Sequence, residues 1–162
     1  MKASFVMLSP VGKLYVETED EKLVKLEYHS KKKVTTNKMD RFSSQVKKQI
    51  TNYFNSSKSG FNLPVMLNGT PFQKKVWRAM QNIPVGQTRT YGDISEQLQS
   101  SPRAVGNACR ANPVPLVVPC HRIIGKAGIG GFGGKTAGRN IDCKSWLLKH
   151  ELGHEIEHEA SI

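Results

Sequence analysis

Residues 112–122 read Asn-Pro-Val-Pro-Leu-Val-Val-Pro-Cys-His-Arg and join an apolar run to three polar side chains. Each of the three prolines removes a backbone N–H donor, which disfavours a helix or a central strand. The stretch is therefore predicted to be a rigid, mostly buried, extended segment. Imidazole and guanidinium groups beside a thiol favour the thiolate, the form that attacks electrophiles. Cys120 is thus a candidate nucleophile, with a buried structural cysteine as the alternative.

Two short helices are predicted just before this segment. Thr90 with Asp93 three residues later has the pattern of a capping box, and Ser101-Pro102 is a second helix start. The pair is a helix-turn-helix candidate, with an ordinary packed helix pair as the alternative. Small residues would let the second helix approach another surface closely, and its polar side chains can reach phosphates or base edges. The helix carries Arg103, Ala104, Asn107 and Arg110.

The charge distribution also points to a polyanionic partner. The formal net charge is +11, and residues 67–150 hold 12 Lys and Arg against three acidic residues, a net charge of +9. Residues 1–66 hold 12 basic and six acidic residues, so the excess lies in the later part of the chain. A concentrated basic region favours nucleic acid as the partner.

The first half of the chain is predicted to be a small α+β scaffold. Residues 3–8, 13–18 and 22–28 are short β-prone stretches separated by turn signals, which predicts a three-stranded meander. Residues 29–40 are predicted to be a polar loop. A helix from Asp40 to about Asn55 should cover the sheet, because apolar residues recur there every fourth position. Those residues are Phe42, Val46, Ile50 and Phe54.

Two further helices are predicted in the second half. Thr70-Pro71 is a helix start followed by a stripe of Phe72, Val76, Met80 and Ile83. A last helix, from Asp142 to about Glu151, should bury Trp146 together with Leu147 or Leu148.

Two motifs suggest other chemistry but fail on spacing. Gly134-Lys135-Thr136 resembles the end of a phosphate-binding loop, yet Ile129 stands where that pattern needs glycine. His150-Glu151-Leu152-Gly153-His154 matches a zinc-protease helix, but His158 would lie roughly 12 Å from His150 along a straight helix. Two zinc–nitrogen bonds span far less than that distance. No metal site and no cofactor are expected.

Three cysteines cannot all pair with one another, and the first residues lead into a short alternating stretch without a long apolar core, so we expect neither a signal peptide nor a membrane span. We therefore expect a reducing compartment, the cytoplasm of a prokaryote or the nucleus of a eukaryote, and no membrane partner.

Pro119-Cys120-His121-Arg122, preceded by Ser101-Pro-Arg-Ala-Val-Gly106 and Asn112-Pro113, resembles the signature of methylated-DNA–protein-cysteine methyltransferases, the O6-alkylguanine-DNA alkyltransferases. The likeness covers about residues 70–152. The implied fold class is α/β (α+β). A small ribonuclease-H-like sheet-plus-helix domain at 1–66, without ribonuclease activity, precedes a helical, winged-helix or helix-turn-helix-like domain at 67–162.

The resemblance implies a monomer that binds duplex DNA containing O6-alkylguanine in the minor groove. The damaged base is flipped out, and Cys120 takes its alkyl group irreversibly, in a single turnover. Arg103 is expected to fill the gap in the base stack, and Tyr91 to stabilise the flipped nucleotide and protonate the leaving guanine. The DNA-binding residues expected are Tyr91, Arg103, Ala104, Asn107, Arg110 and Arg122. Activity on O4-methylthymine and cooperative binding stay open.

The family also implies a cysteine–water–histidine–glutamate relay, in which His121 is the base and Glu151 orients it. In an extended segment neighbouring side chains point to opposite faces, so a bridging water would link His121 to Cys120. Asn112 is expected to hold the turn before the segment. The expected pocket loop is Gly130, Gly131, Phe132, Gly133 and Gly134, with Phe132 where many members have tyrosine and an apparent insertion at Lys135–Ile141.

Two alternatives remain. The first is a DNA-binding module in which Cys120 has no catalytic role. The second is a cysteine hydrolase, against which the basic region argues.

Overall fold

The computed structural model describes residues 2–126 and 139–153. The chain divides between Leu67 and Asn68 into two compact units. Within the described ranges, no helix is both long enough and apolar enough to cross a membrane.

The N-terminal unit is built on a four-stranded antiparallel sheet. Its strands are β1 (Lys2–Met7), β2 (Leu14–Glu19), β3 (Lys22–Tyr28) and β4 (Thr35–Lys38), in the order β3-β2-β1-β4. The predicted meander is confirmed. The prediction of a loop throughout 29–40 is wrong, because β4 pairs with β1. The β4 sequence Thr-Thr-Asn-Lys has no alternation of apolar and polar residues that would have predicted a strand. Such a polar sequence is common in a strand at the edge of a sheet, where β4 lies.

Helix α1 (Arg41–Asn55) packs against β1 and β2. Asp40 accepts a hydrogen bond from the Ser43 backbone, and the Ser43 side chain completes a capping box. The predicted burial of Val46 and Ile50 is confirmed, but Phe42 and Phe54 are only half-buried. The buried face instead contains Ser43, Val46, Ile50 and Tyr53, spaced three or four residues apart as a helix requires.

The C-terminal unit is mainly helical. Its helices are α2 (Pro71–Gln81), α3 (Tyr91–Gln97), α4 (Pro102–Arg110) and α5 (Arg139–Leu152). Strands β5 (Arg89–Thr90) and β6 (Ile123–Ile124) form a short parallel pair. Helices α3 and α4, the two helices of the predicted helix-turn-helix, pack on each other. Helix α4 also packs on α2, which anchors the pair to the rest of the unit.

Local start signals set these helices. The side chains of Thr70, Thr90 and Ser101 accept hydrogen bonds from backbone N–H groups of the first turns of α2, α3 and α4. Helix α5 begins at Arg139, so three residues of the apparent insertion are helical. Leu147 and Leu148 are both buried, whereas Trp146 is half-exposed and stacks on the ring of His150.

Trp77 of α2 anchors the core of this unit. Its indole is 1% exposed and its Nε1 donates a 2.9 Å hydrogen bond to the carbonyl of Ala108 in α4. A Cβ built on Gly69 would lie 2.5 Å from a carbon of this ring. The bonded indole cannot easily move aside, so Gly69 is required for space.

We therefore expect Gly69→Ala to destabilise the C-terminal unit by about 1–3 kcal/mol, the usual cost of overpacking. Urea unfolding followed by tryptophan fluorescence measures this, because both tryptophans, Trp77 and Trp146, lie in this unit. The control is Gly92→Ala, since a Cβ there meets nothing closer than 3.6 Å. Equal unfolding midpoints for the two variants would contradict the packing argument.

Candidate active site

The segment before Cys120 is held by one amide side chain. Asn112 donates from Nδ2 to the carbonyl of Val118 at 2.8 Å and accepts at Oδ1 from the backbone N–H of Val114 at 3.0 Å. The Val118 N–H donates in turn to the Val114 carbonyl. The Asn112 amide thus supplies hydrogen bonds within a stretch where the prolines lack N–H donors.

The prediction of an extended segment is only partly correct. The segment is largely buried, with Val114, Leu116 and Val118 at most 1% exposed. However, Leu116 has φ +78°, a left-handed conformation that a leucine rarely adopts, and the chain turns there. Residues Cys120–Arg122 form a single 3₁₀ turn rather than continuing extended. The backbone at Leu116 is therefore strained, and the buried residues around it hold it in place.

Cys120 lies at the start of that turn and is 7% exposed. Burial raises the pKa of its thiol to about 11, although a hydrogen bond from Asn112 and the positive charge of Lys144 act in the opposite direction. The neighbouring imidazole and guanidinium thus do not make a resting thiolate, contrary to our expectation. At neutral pH the thiol needs a base before it can attack.

His121 and Glu151 form a buried pair beside the cysteine. His121 Nε2 lies 2.6 Å from Glu151 Oε2, and the imidazole is 0% exposed. Burial lowers the pKa of His121, and the hydrogen bond and charge of Glu151 oppose this only in part, so the ring is neutral at pH 7. Its Nδ1 is buried and makes no hydrogen bond to the part of the protein that the structure describes. A neutral ring that donates from Nε2 has its basic lone pair on Nδ1.

The Arg122 side chain is buried inside the protein, whereas we expected it to contact DNA. Its guanidinium is 7% exposed and donates from Nε to Glu151 Oε1 at 2.8 Å and from Nη2 to Oε2 at 3.1 Å. Nη1 donates to the carbonyl of Ile83 at 2.7 Å. The expected DNA contact by Arg122 is therefore corrected: its donors face inward and are used by this ion pair and carbonyl.

The Glu151 carboxylate stays ionised in this environment. Burial raises the pKa of Glu151, but the hydrogen bonds and charges of His121 and Arg122 outweigh burial and hold it well below its usual range. The Glu151 carboxylate is thus occupied by hydrogen bonds to His121 and Arg122. It is therefore not available for the general-base role that the zinc-protease motif would give it. No cluster of three potential metal ligands exists among the residues that can be described.

Tyr91 is the first residue of α3 and directly follows β5. Strand β5 pairs with β6, and β6 directly follows the Cys120–Arg122 turn. Burial, together with the nearby Cys109 and Cys120 thiols, raises the pKa of the Tyr91 phenol to about 12. The phenol therefore carries its proton at neutral pH. A Cβ built on Gly106 would be 3.9 Å from the Tyr91 ring, so the ring lies over the small-residue face of α4.

The other face of α4 is open. Arg103, Asn107 and Arg110 are exposed, Ala104 is half-buried, and Val105 and Ala108 are in the core. This distribution leaves the predicted polar residues of the second helix accessible to a large partner.

Lys144 is a site residue that the sequence patterns had not singled out. It is 0% exposed, and its Nζ donates a 2.7 Å hydrogen bond to the carbonyl of Ile123, the residue after the Cys120–Arg122 turn. Its burial could have been predicted from helical spacing, because Lys144 lies three, four and seven residues before Leu147, Leu148 and Glu151 and so shares their face of α5.

The predicted pocket loop, Gly130, Gly131, Phe132, Gly133 and Gly134, lies outside the described residues, as do Gly134-Lys135-Thr136, His154 and His158.

Comparison with known protein families gives two matches along the chain. Residues 71–153 match the 6-O-methylguanine DNA methyltransferase DNA binding domain, and residues 4–67 match the ribonuclease-like domain of the same proteins. Among curated proteins, the constitutive methylated-DNA–protein-cysteine methyltransferase of Bacillus subtilis is 34% identical over 88% of this chain and 91% of its own length. The corresponding protein of Mycolicibacterium paratuberculosis is 38% identical over 90% of each chain.

Solved structures give the same relationship. The crystal structure of Mycobacterium tuberculosis O6-methylguanine methyltransferase is 34% identical, with a TM-score of 0.77 over 94% of this chain and 93% of that one. A crystal structure of Mycobacterium tuberculosis OGT in complex with DNA is 36% identical, with a TM-score of 0.76 over 91% of each chain.

The buried ion pair leads to a stability prediction. Glu151→Gln leaves the Arg122 guanidinium buried without its counter-charge, which should cost about 3–5 kcal/mol. Because the pKa of Glu151 lies below its ordinary 4.5 in the folded protein, its contribution is complete above that pH and is lost as pH falls. The difference between the variant and the wild type should therefore be large at pH 7 and shrink on acidification.

Urea unfolding at several pH values, followed by tryptophan fluorescence, tests this prediction. Glu96→Gln, the same change at an exposed position of α3, is the matched control and should have little effect. A pH-independent difference for Glu151→Gln would show that the carboxylate charge is not what the variant loses.

Proposed function

Since the chain belongs to the 6-O-methylguanine DNA methyltransferase family, we propose that it repairs DNA by transferring the alkyl group from O6 of guanine to its own Cys120. The observation that carries this proposal is the buried Cys120 thiol next to a neutral His121 that is oriented by Glu151. The three side chains supply a nucleophile, a base and an orienting carboxylate.

The first step removes the thiol proton. A thiol with a pKa of about 11 is almost entirely protonated at pH 7. His121 Nε2–H donates a hydrogen bond to the Glu151 carboxylate, so Nδ1 is the atom that takes the cysteine proton, through a bridging water. The ionised Glu151 then stabilises the imidazolium, and Arg122 keeps the carboxylate in place.

The second step transfers the alkyl group. The Cys120 thiolate attacks the alkyl carbon, the carbon–O6 bond breaks, and its electron pair goes to the guanine. Tyr91 protonates the departing guanine, consistent with a phenol that stays protonated at neutral pH. The product is a thioether, which is not a leaving group for water at neutral pH. Each molecule therefore acts once.

A buried thiol cannot reach a base inside a duplex, so the alkylated nucleotide must be flipped out of the helix. The exposed face of α4 binds the DNA in the minor groove, with Asn107 and Arg110 against the backbone and half-buried Ala104 allowing close approach. Arg103 enters the stack and fills the space that the base leaves. Tyr91 stabilises the flipped nucleotide.

The remaining roles follow from the same scheme. Asn112 holds the Cys120 segment, and Gly130, Gly131, Phe132, Gly133 and Gly134 line the base pocket. Residues 1–66 are a scaffold domain, and 67–162 bind DNA and carry the reaction. The protein works as a monomer where the genome is, in the cytoplasm of a prokaryotic cell or in the nucleus of a eukaryote.

Incubation with excess duplex that contains one O6-methylguanine tests the reaction directly. Intact mass and peptide mapping should show one methyl group per molecule, on the Cys120 peptide, and no repair beyond one equivalent. Cys120→Ser should abolish transfer, because a serine hydroxyl is a far weaker nucleophile than a thiolate, and should leave DNA binding nearly unchanged.

Cys143→Ala is the matched control, since Cys143 is also a buried free cysteine, and it should still transfer. Repaired DNA with an unchanged protein mass would contradict self-alkylation. Unchanged DNA and unchanged mass would favour a DNA-binding module without catalysis.

The role of Arg103 can be separated from the chemistry. Arg103→Ala should slow transfer from duplex DNA by at least about tenfold, because the flipped state loses the side chain that occupies the stack. A tenfold change corresponds to about 1.4 kcal/mol, which is within the few kcal/mol that unstacking a base costs. Reaction with free O6-benzylguanine needs no flipping and should be nearly unaffected.

Single-turnover rates on both substrates make the comparison. Arg41→Ala, which removes an exposed arginine from the N-terminal unit, controls for the loss of one positive charge. Equal losses on duplex and free base would exclude Arg103 from base flipping.

A further inference from the structure

Acidic and basic side chains are segregated within the N-terminal unit. Of its six acidic residues, five lie between positions 17 and 27, on β2, on β3 and in the turn that joins them, and the sixth is Asp40. From residue 41 to residue 92 the sequence contains no Asp or Glu but eight Lys and Arg. Helix α1 and the 3₁₀ turn Ser57–Ser59 that follows it lie in this acid-free stretch.

The exposed side of α1 carries only polar and basic side chains beyond its first turns. The other side of the helix packs against β1 and β2. The residues three, four and seven positions after Lys48 share its face and are all exposed. Arg41 adjoins the Asp40 carboxylate at the start of the helix and is not included. We define the α1 basic surface as Lys47, Lys48, Thr51, Asn52, Asn55 and Lys58, of which Lys47 is half-exposed and the others are exposed.

The turn that carries Lys58 is held against α1. Gln49 Nε2 donates a 3.2 Å hydrogen bond to the carbonyl of Asn62, and the Asn62 N–H donates to Gln49 Oε1 at 2.9 Å. The Ser56 N–H donates to the Asn52 carbonyl at 2.8 Å. These bonds fold the chain back onto the helix, so Lys58 adjoins the end of α1.

Helix stability does not explain the lysines of this surface. The residues three and four positions from Lys47 and Lys48 are Ser, Gln, Ile, Thr and Asn, so neither lysine has a helical ion-pair partner. The last turn of α1, where a positive charge would favour the helix dipole, has no basic residue. Within the described part of the chain, Lys47, Lys48 and Lys58 form no ion pair. Their charges therefore repel one another in the free protein and are available to an anionic partner.

The chemistry of the α1 basic surface fits the phosphate backbone of duplex DNA. Lysine, threonine and asparagine side chains are among the donors that contact phosphate oxygens. From Lys47 to Asn55 the helix runs roughly 12 Å. Each strand of B-DNA carries one phosphate per about 3.4 Å of axis, so this length can meet about three phosphates.

Other classes of partner fit this surface less well. A helix that binds a lipid surface needs an apolar face exposed to the membrane, and the apolar residues Val46 and Ile50 of α1 are fully buried in the unit. The core of a protein–protein interface is enriched in aromatic and methionine side chains. The α1 basic surface contains neither.

We propose that the α1 basic surface is a DNA-binding surface in addition to that of α4, and that it contacts phosphates without reading sequence. This inference rests on duplex DNA as the partner and not on the transfer of the alkyl group. The N-terminal unit is then more than a scaffold, because it contributes to the salt-dependent affinity by which a protein stays on undamaged DNA while it moves along it.

The test is the affinity of the full chain for an undamaged, fluorescently labelled duplex, measured by anisotropy between about 50 and 200 mM salt. The variant Lys47→Gln/Lys48→Gln/Lys58→Gln removes three charges. It should bind at least about tenfold more weakly at the lowest salt. The slope of log affinity against log salt should become shallower by about 2–3, because each neutralised phosphate contributes about 0.9 to it.

A matched control removes the same number of charges from the side of the unit that holds the acids. The exposed lysines of β1 and β3 lie opposite glutamates of β2, and the control variant is Lys2→Gln/Lys22→Gln/Lys25→Gln. Its slope should change by less than about one. Replacing the three lysines of the α1 basic surface with arginine keeps the charge and should preserve binding.

Two outcomes would overturn the inference. An unchanged slope would show that these lysines do not contact DNA, and an equal change in the control variant would show that only net charge matters. Equal losses on duplex DNA and on labelled poly-glutamate would also overturn it, by making the surface a general polyanion site. If the triple glutamine variant did not fold by circular dichroism, Lys48→Gln alone would decide, with an expected slope change of about one.

Failure of the proposed function is recognised separately. Wild-type protein would then bind the undamaged duplex with the expected salt dependence but would gain no methyl group on Cys120 from duplex that contains O6-methylguanine.

Discussion

The Glu151 carboxylate is the group on which the rest of the active site depends. It lies near the end of α5 and accepts hydrogen bonds from His121 and Arg122, two consecutive residues of the 3₁₀ turn. Arg122 also donates to the Ile83 carbonyl just beyond α2. One buried carboxylate therefore joins the turn to α5 and, through Arg122, to the end of α2. Without its negative charge, the Arg122 guanidinium would be a buried charge with no counter-charge, which is costly.

The same network explains why the nucleophile can lie in a segment with so few backbone hydrogen bonds. Three prolines remove donors between 113 and 119, and Leu116 adopts a conformation unfavourable for its side chain. The Asn112 amide compensates from one end of the segment, and the Arg122–Glu151 ion pair fixes the other end. A strained stretch persists only where its surroundings determine it on both sides, and here side chains supply that restraint.

Features set by local sequence were predictable, and those set by distant contacts were not. Proline and hydroxyl cap signals gave the starts of α2, α3 and α4, and alternation gave three of four strands. The edge strand β4 was missed because its pairing depends on β1. The inward turn of Arg122 and the burial of Lys144 depend on partners 29 and 21 residues away. A basic composition suggests that arginine and lysine side chains contact DNA. Only the folded structure shows which of these side chains face the interior instead.

The electrostatics of the site suit a protein that is consumed by its own reaction. A permanently ionised Cys120 would react with any small electrophile, and each such event would remove one molecule from use. Burial instead keeps the thiol neutral, with a pKa of about 11, beside a neutral His121. The thiolate then exists mainly when the proton is taken during the reaction itself. A high resting pKa is compatible with reactivity, because a base that takes the proton as the reaction proceeds generates the thiolate only when it is needed.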